Sequence, residues 1–214
     1  MTILITGATR GIGAGLAAHY RGLGRDVIGT GRSVTADIQL DVTRPGSHKE
    51  MAEALGARAV DLLVCNAGVY LDKGHDLDTG YGADLWAQSF ATNVTGVFLS
   101  IQALLPHLRR SGAGKIAIIS SQMGSSTRAP GGSYIYRASK AAALNLGRNL
   151  ASDLRGEGIA VGIYHPGWVR TDMGGEGGDI GTDEAVAGLV SRFDALSLES
   201  TGCFETWDGR VHPY

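Results

Sequence analysis

The sequence predicts a doubly wound α/β fold, a parallel sheet with helices on both faces. Three observations carry that expectation. Short β-branched apolar runs alternate with helical stretches along the whole chain. The runs are continuously apolar, as in strands covered on both faces. The 214 residues contain no internal repeat and no linker, so a single domain over 1–214 is expected. In such sheets, ligands bind beyond the carboxyl ends of the strands.

The elements follow in order. Thr2–Thr6 reads as a buried strand, followed by a glycine-rich turn and a helix through Leu16, Ala17 and Tyr20. Asp26–Thr30 is a second strand and Ile38–Val42 a weak third. A helix is expected over Ser47–Leu55, and a clear fourth strand over Val60–Cys65. Residues 69–83 are polar and Gly-rich, so a loop is expected there. Leu85–Leu108 has one long helical period. Lys115–Ser120 is the fifth strand, Tyr134–Arg155 a long helix and Ile159–Tyr164 the sixth strand. Thr182–Ser191 reads as a helix with Thr182 as its cap. Gly202–Thr206 reads as a last edge strand, with Asp208-Gly209 as its turn.

Composition narrows the function classes. Apolar residues make up 43% of the chain, enough for a sizeable core. The net charge of −2, without Lys/Arg runs, gives no reason to expect nucleic acid or another polyanion as partner. No stretch approaches the roughly 18 apolar residues of a membrane span. The start lacks a basic segment leading into a long apolar one, so no signal peptide is expected. Cys65 and Cys203 are too few for a disulfide framework, and reduced thiols of a cytoplasmic protein are the simple expectation. The six histidines are scattered, and no metal site is expected.

Thr6-Gly7-Ala8-Thr9-Arg10-Gly11-Ile12-Gly13 joins the first strand to the first helix. Glycines let such a turn approach a pyrophosphate, and the helix start supplies free N–H groups and positive potential. A plain strand–helix turn has the same small residues. Arg32 lies just past the second strand, where an acid would bind both ribose hydroxyls of NAD. A guanidinium there suits a 2′-phosphate, so NADP(H) is favoured and NAD(H) is the alternative. Arg32 as a solvated loop residue also fits, and Asp37 lies close by. Tyr136 and Lys140, four apart on a helix, share one face. An ammonium near a phenol stabilises the phenolate, although such a pair alone is usually a solvated face.

Taken together, these segments resemble the short-chain dehydrogenase/reductase family, with its Rossmann-like sheet. Thr6–Gly13 is similar to that family's glycine turn, and Asn66-Ala67-Gly68 to its NAG motif. Asn93 falls on its helical asparagine. Ser121 precedes the Tyr136/Lys140 pair, and Pro166-Gly167 follows the sixth strand. Tyr136–Ala142 and His165–Gly175 resemble the branch of C-factor and sniffer-like carbonyl reductases.

The resemblance implies an NAD(P)-dependent enzyme that reduces a small carbonyl compound or oxidises the corresponding alcohol. Tyr136 would give the carbonyl oxygen its proton, and Ser121 would hydrogen-bond that oxygen. Ser121 is preferred to Ser120 because Ser121–Gly124 fits the family's register. Lys140 would lower the Tyr136 pKa and bind the ribose, and Asn93 would support a water chain from Lys140. Gly7, Thr9, Arg10, Gly11, Ile12, Gly13, Arg32, Asp41, Val42, Asn66, Ala67, Gly68, Pro166, Gly167, Val169 and Thr171 would join Tyr136 and Lys140 in holding the cofactor. A dimer or tetramer through Leu85–Leu108 and Tyr134–Arg155 is implied as well.

The chain departs from the family at Cys65, where many relatives carry an asparagine. It departs again in the separation of 15 from Ser121 to Tyr136, longer than in many members. The extra residues, in Ser125–Ser133, are expected either to leave the site unchanged or to shape its pocket. The segment between Thr171 and Thr182 is short and Gly-rich, so a loosely covered pocket with modest selectivity is expected, with Tyr134, Met123 and Trp168 as lining candidates. A nucleotide-bound signalling or sensor protein with little turnover is the alternative from another class. An NAD-linked dehydrogenase is the second.

Overall fold

The computed structural model describes residues 1–214 and has the expected α/β layers. Strands β1 (Thr2–Ile5), β2 (Asp26–Gly31), β3 (Ile38–Gln39), β4 (Leu62–Cys65), β5 (Lys115–Ile119), β6 (Ala160–His165) and β7 (Phe204–Thr206) form one sheet in the order β3-β2-β1-β4-β5-β6-β7. Every neighbouring pair is parallel. The order reverses between β1 and β4, and a crevice opens at the carboxyl ends of such a pair.

Successive side chains of a strand point to opposite faces, so a run without polar residues feeds two cores. Leu4, Leu63, Ile116 and Ile118 pack on one side with Met51, Leu104, Leu108 and Ala151. These come from helices α2 (Pro45–Leu55), α4 (Gly96–Ser111) and α5 (Tyr134–Arg155). Ile3, Ile5, Leu62 and Val64 pack on the other side with Leu16, Tyr20, Leu189 and Phe193. Those last four belong to α1 (Gly11–Gly22) and α6 (Thr182–Ala195). Cys65, the departure from the family, is a buried free thiol in the first of these cores. No helix is long and apolar enough to cross a membrane.

Three expectations need correction. The third strand stops at Gln39 rather than Val42, because the Asp41 carboxylate accepts hydrogen bonds from the N–H and hydroxyl of Thr43 and turns the chain. The single helix over Leu85–Leu108 is two helices, α3 (Ala83–Phe90) and α4, joined by a π turn at Ala91–Thr95 that holds Asn93. Thr182 does not cap α6: Gly181 occupies that position, and the Thr182 hydroxyl donates to the Arg170 carbonyl at 3.3 Å.

Candidate active site

The glycine turn is rigid. The Thr6 hydroxyl accepts the backbone N–H groups of Asn66 and Ala67 at 3.0 and 3.1 Å. The Asn66 amide donates in return to the carbonyls of Thr6 and Gly7 at 3.0 and 3.1 Å. Gly7 has φ +68°, and a Cβ there would sit 2.9 Å from the Ala67 Cα. A Cβ on Gly13 would meet the Gly7 carbonyl and, at 2.5 Å, Asn66 Nδ2. The start of α1 has no side-chain cap, so its N–H groups stay free for a ligand.

Two adjoining cavities lie over the carboxyl ends of the strands. The first, of about 240 Å³, is lined by Gly7, Thr9, Arg10, Gly11 and Ile12 from the turn. Arg32, Asp41, Val42, Asn66, Ala67, Gly68, Pro166 and Thr171 also border it, as do Tyr136 and Lys140. Gly13 lies behind this wall, where its missing side chain lets Gly7 and Asn66 close up. Gly167 and Val169 border the second cavity instead, of about 330 Å³. Ser121, Met123, Trp168 and Tyr136 line it too. Asp37, the residue that left the nucleotide preference open, is absent from both walls. Its carboxylate accepts the Gly29 N–H at 2.7 Å and pairs with Arg21. Arg32 is thus free of that acid, and Asp41 is held below the usual carboxylate range, chiefly by its bond from Thr43.

Ser120 and Ser121 have different tasks. Both border the second cavity, but the Ser120 hydroxyl is taken up by the Lys140 carbonyl at 2.9 Å, tying β5 to α5. Lys140 is buried, and its ammonium donates to the Ile119 carbonyl at 2.9 Å. Burial pulls its pKa down to about 8. The Lys140 nitrogen lies 5.7 Å from the centre of the Tyr136 ring. Burial pushes the phenol up to about 12, against a smaller lowering from Ser121. The phenol is therefore protonated at neutral pH.

Asn93 borders neither cavity. Its amide pairs with both backbone groups of Val69 at 2.9 Å and donates to the Ser139 hydroxyl at 2.9 Å. It pins the chain after Gly68 to α5, and the π turn provides the inward register for this.

Sequence reasoning missed Tyr70 and Asp72. The Tyr70 ring stacks on Tyr136 with centroids 4.3 Å apart, and its hydroxyl bonds Ser133. Asp72 is fully buried and accepts the N–H groups of Ile135 and of Tyr136 itself, at 2.9 and 3.2 Å. It satisfies the free start of α5, where Ser133 is left-handed at φ +49° and provides no side-chain cap. Replacing Asp72 by Ala is expected to cost about 2–4 kcal/mol, and Asp72→Asn less, because it keeps one acceptor. Urea denaturation midpoints of the two variants check this, and equal midpoints would remove the capping role.

Other lining expectations are corrected. Tyr134 borders neither cavity but packs edge-on against Tyr81, and Tyr70 takes the place expected for it. Residues 125–133 border neither cavity, and Thr127 bonds the terminal carbonyl of Tyr214. The glycine-rich segment after Thr171 is held at two points by bonds to its backbone. Trp168 Nε1 donates to the Gly174 carbonyl at 2.9 Å, and Arg170 to that of Gly178 at 2.8 Å. These bonds use backbone carbonyls, so the anchoring needs no apolar side chains.

Comparison with known proteins agrees with this fold. The family model for short chain dehydrogenases matches residues 1–179. C-signal of Myxococcus xanthus is 38% identical over 159 residues, covering 72% of this chain and 93% of that protein. The 1-hydroxy-2-glutathionyl-2-methyl-3-butene dehydrogenase of Rhodococcus sp. (strain AD45) is 34% identical over 225 aligned residues, covering 97% of each. Among solved structures, the NADPH-bound carbonyl reductase from chicken fatty liver superposes with a TM-score of 0.91 at 30% identity, covering 100% of this chain and 98% of that one.

Proposed function

The chain belongs to the short-chain dehydrogenase family, an NAD(P)-dependent oxidoreductase family, and from that premise we propose that it is an NADP(H)-dependent carbonyl reductase acting on a small aldehyde or ketone. The position of Tyr136 carries this reading: it is a wall common to the glycine-turn cavity and to the cavity that holds Ser121. The residues of the first cavity fit a dinucleotide. Its glycines leave room where a Cβ would collide, the start of α1 offers free N–H groups, and Arg32 offers a guanidinium for a 2′-phosphate. The NADPH bound by the chicken relative supports the same choice.

When bound, the nicotinamide cofactor supplies the hydride. The protein's own groups do the rest. Ser121 and Tyr136 hold the carbonyl oxygen in the second cavity, where their hydroxyls face developing negative charge. Tyr136 then donates its phenolic proton. Lys140, whose chain lines the first cavity, carries the positive charge that steadies the phenolate left behind. Asn93 keeps α5 in register with the loop after β4. Assembly of two or four copies through the outer faces of α3 to α5 belongs to the same proposal.

Titration with NADPH and NADH, followed by absorbance loss with a panel of aldehydes and ketones, tests this reading. NADPH-selective oxidation supports it, and failure to bind either nucleotide overturns it. NADPH binding without oxidation of any compound would favour the signalling alternative, for which the likeness to C-signal is the motive. Arg32→Asp is expected to weaken NADPH by roughly 30- to 100-fold while changing NADH by less than about threefold. Equal losses for both nucleotides would remove Arg32 as the phosphate reader.

A further inference from the structure

The second cavity has an uneven charge. Its wall contains no carboxylate, and it does contain Lys73. The neighbouring acid, Asp72, points inward and is taken by the N–H groups of Ile135 and Tyr136. Lys73 has no carboxylate partner within 4.0 Å, and its ammonium makes one long hydrogen bond of 3.4 Å, to the Met173 carbonyl. Asp172, beside Met173, is already paired with Arg10 at 2.9 Å. A second cation without a carboxylate partner stands behind the wall: the Arg128 guanidinium bonds only the amide oxygen of Gln122, which lines the cavity. His165 in the same wall is buried and neutral, with an unpartnered Nδ1. Asp208, which also acts on His165, is paired with Arg210.

A cation on an acid-free wall, with a second one behind that wall, favours an anion. We propose that the carbonyl substrate carries a carboxylate or similar anionic group, bound at the mouth of the second cavity by Lys73 with Arg128 adding to the attraction. This rests on the reductase reading above and adds the substrate's charge class to it.

Two aldehydes of nearly equal size provide the test, para-carboxybenzaldehyde and its neutral counterpart para-formylbenzamide. Their affinities for NADP⁺-loaded protein are measured by calorimetry in the wild type, Lys73→Glu and Arg128→Met. Lys73 is exposed and makes no structural ion pair, so Lys73→Glu is expected to fold. The acid-to-amide affinity ratio is expected to be about fivefold higher in the wild type than in Lys73→Glu, and to shrink with added salt. Arg128→Met is expected to lower the ratio by a smaller factor. The same ratio in all three proteins would overturn the anionic assignment. A clear acid preference in binding, with no NADPH oxidation by either aldehyde or by any member of the wider panel, would uphold the anion site and overturn the reductase reading.

Discussion

Tyr136→Phe is expected to lower reductive turnover by about 10²- to 10⁴-fold while leaving NADPH affinity within about threefold. The substitution removes only the hydroxyl. The ring keeps its stack on Tyr70, and the backbone N–H keeps Asp72 as its acceptor. A large loss in kcat without loss of folding or nucleotide binding would therefore identify the phenol as the proton source. Burial holds that phenol protonated at about 12, which suits a donor in the reductive direction. Steady-state kinetics beside a nucleotide titration decide it, and retained turnover would remove Tyr136 from the chemistry.

Lys140→Met is expected to be nearly as inactive and yet more stable at neutral pH. The buried ammonium costs the fold, since its pKa falls from the ordinary 10.5 to about 8. Such a depression corresponds to about 3 kcal/mol. Loss of the bond to the Ile119 carbonyl offsets about 1 kcal/mol, so the net gain is about 2 kcal/mol. The sign follows from linkage: below pH 8 the lysine is charged in both folded and unfolded chains, and the penalty is complete. Above about 10.5 it is neutral in both, and the penalty is gone. The advantage of Lys140→Met should thus be greatest below pH 8, vanish near pH ~10, and turn into a deficit of about 1 kcal/mol above about 10.5, where only the lost Ile119 bond remains. Urea unfolding of the nucleotide-free protein across that range tests it. A variant less stable than wild type at pH 7 would contradict the burial penalty. A functional group that weakens its own fold is a familiar cost of activity.

Most of the sheet was legible because β1, β4, β5 and β6 are dense apolar runs, and both faces of such a run are buried. The glycine turn, the NAG segment and the tyrosine–lysine pair were legible as local strings. What escaped depends on contacts far apart in the chain. Asp72 carries no periodic signal in a polar loop, and its partners lie 63 and 64 positions away. The π turn at Asn93 shifts a helix by a single residue, and a period read over some twenty residues absorbs that shift. Asp37 and Arg32 could not be ranked until the structure placed one against Gly29 and the other in the first cavity.

The two cavities have only six residues in common: Ile12, Ser120, Tyr136, Pro166, Thr171 and Met173. The remaining walls come largely from different parts of the chain: β1 to β4 and their loops, with Ile119 and Lys140, for one, and the segments around Met123 and Trp168 for the other. The protein is in this respect modular. Its choice of substrate can drift, or be redesigned, through Tyr70, Met123 and Trp168 without renegotiating the nucleotide, so that one chemical engine serves many successive cargoes.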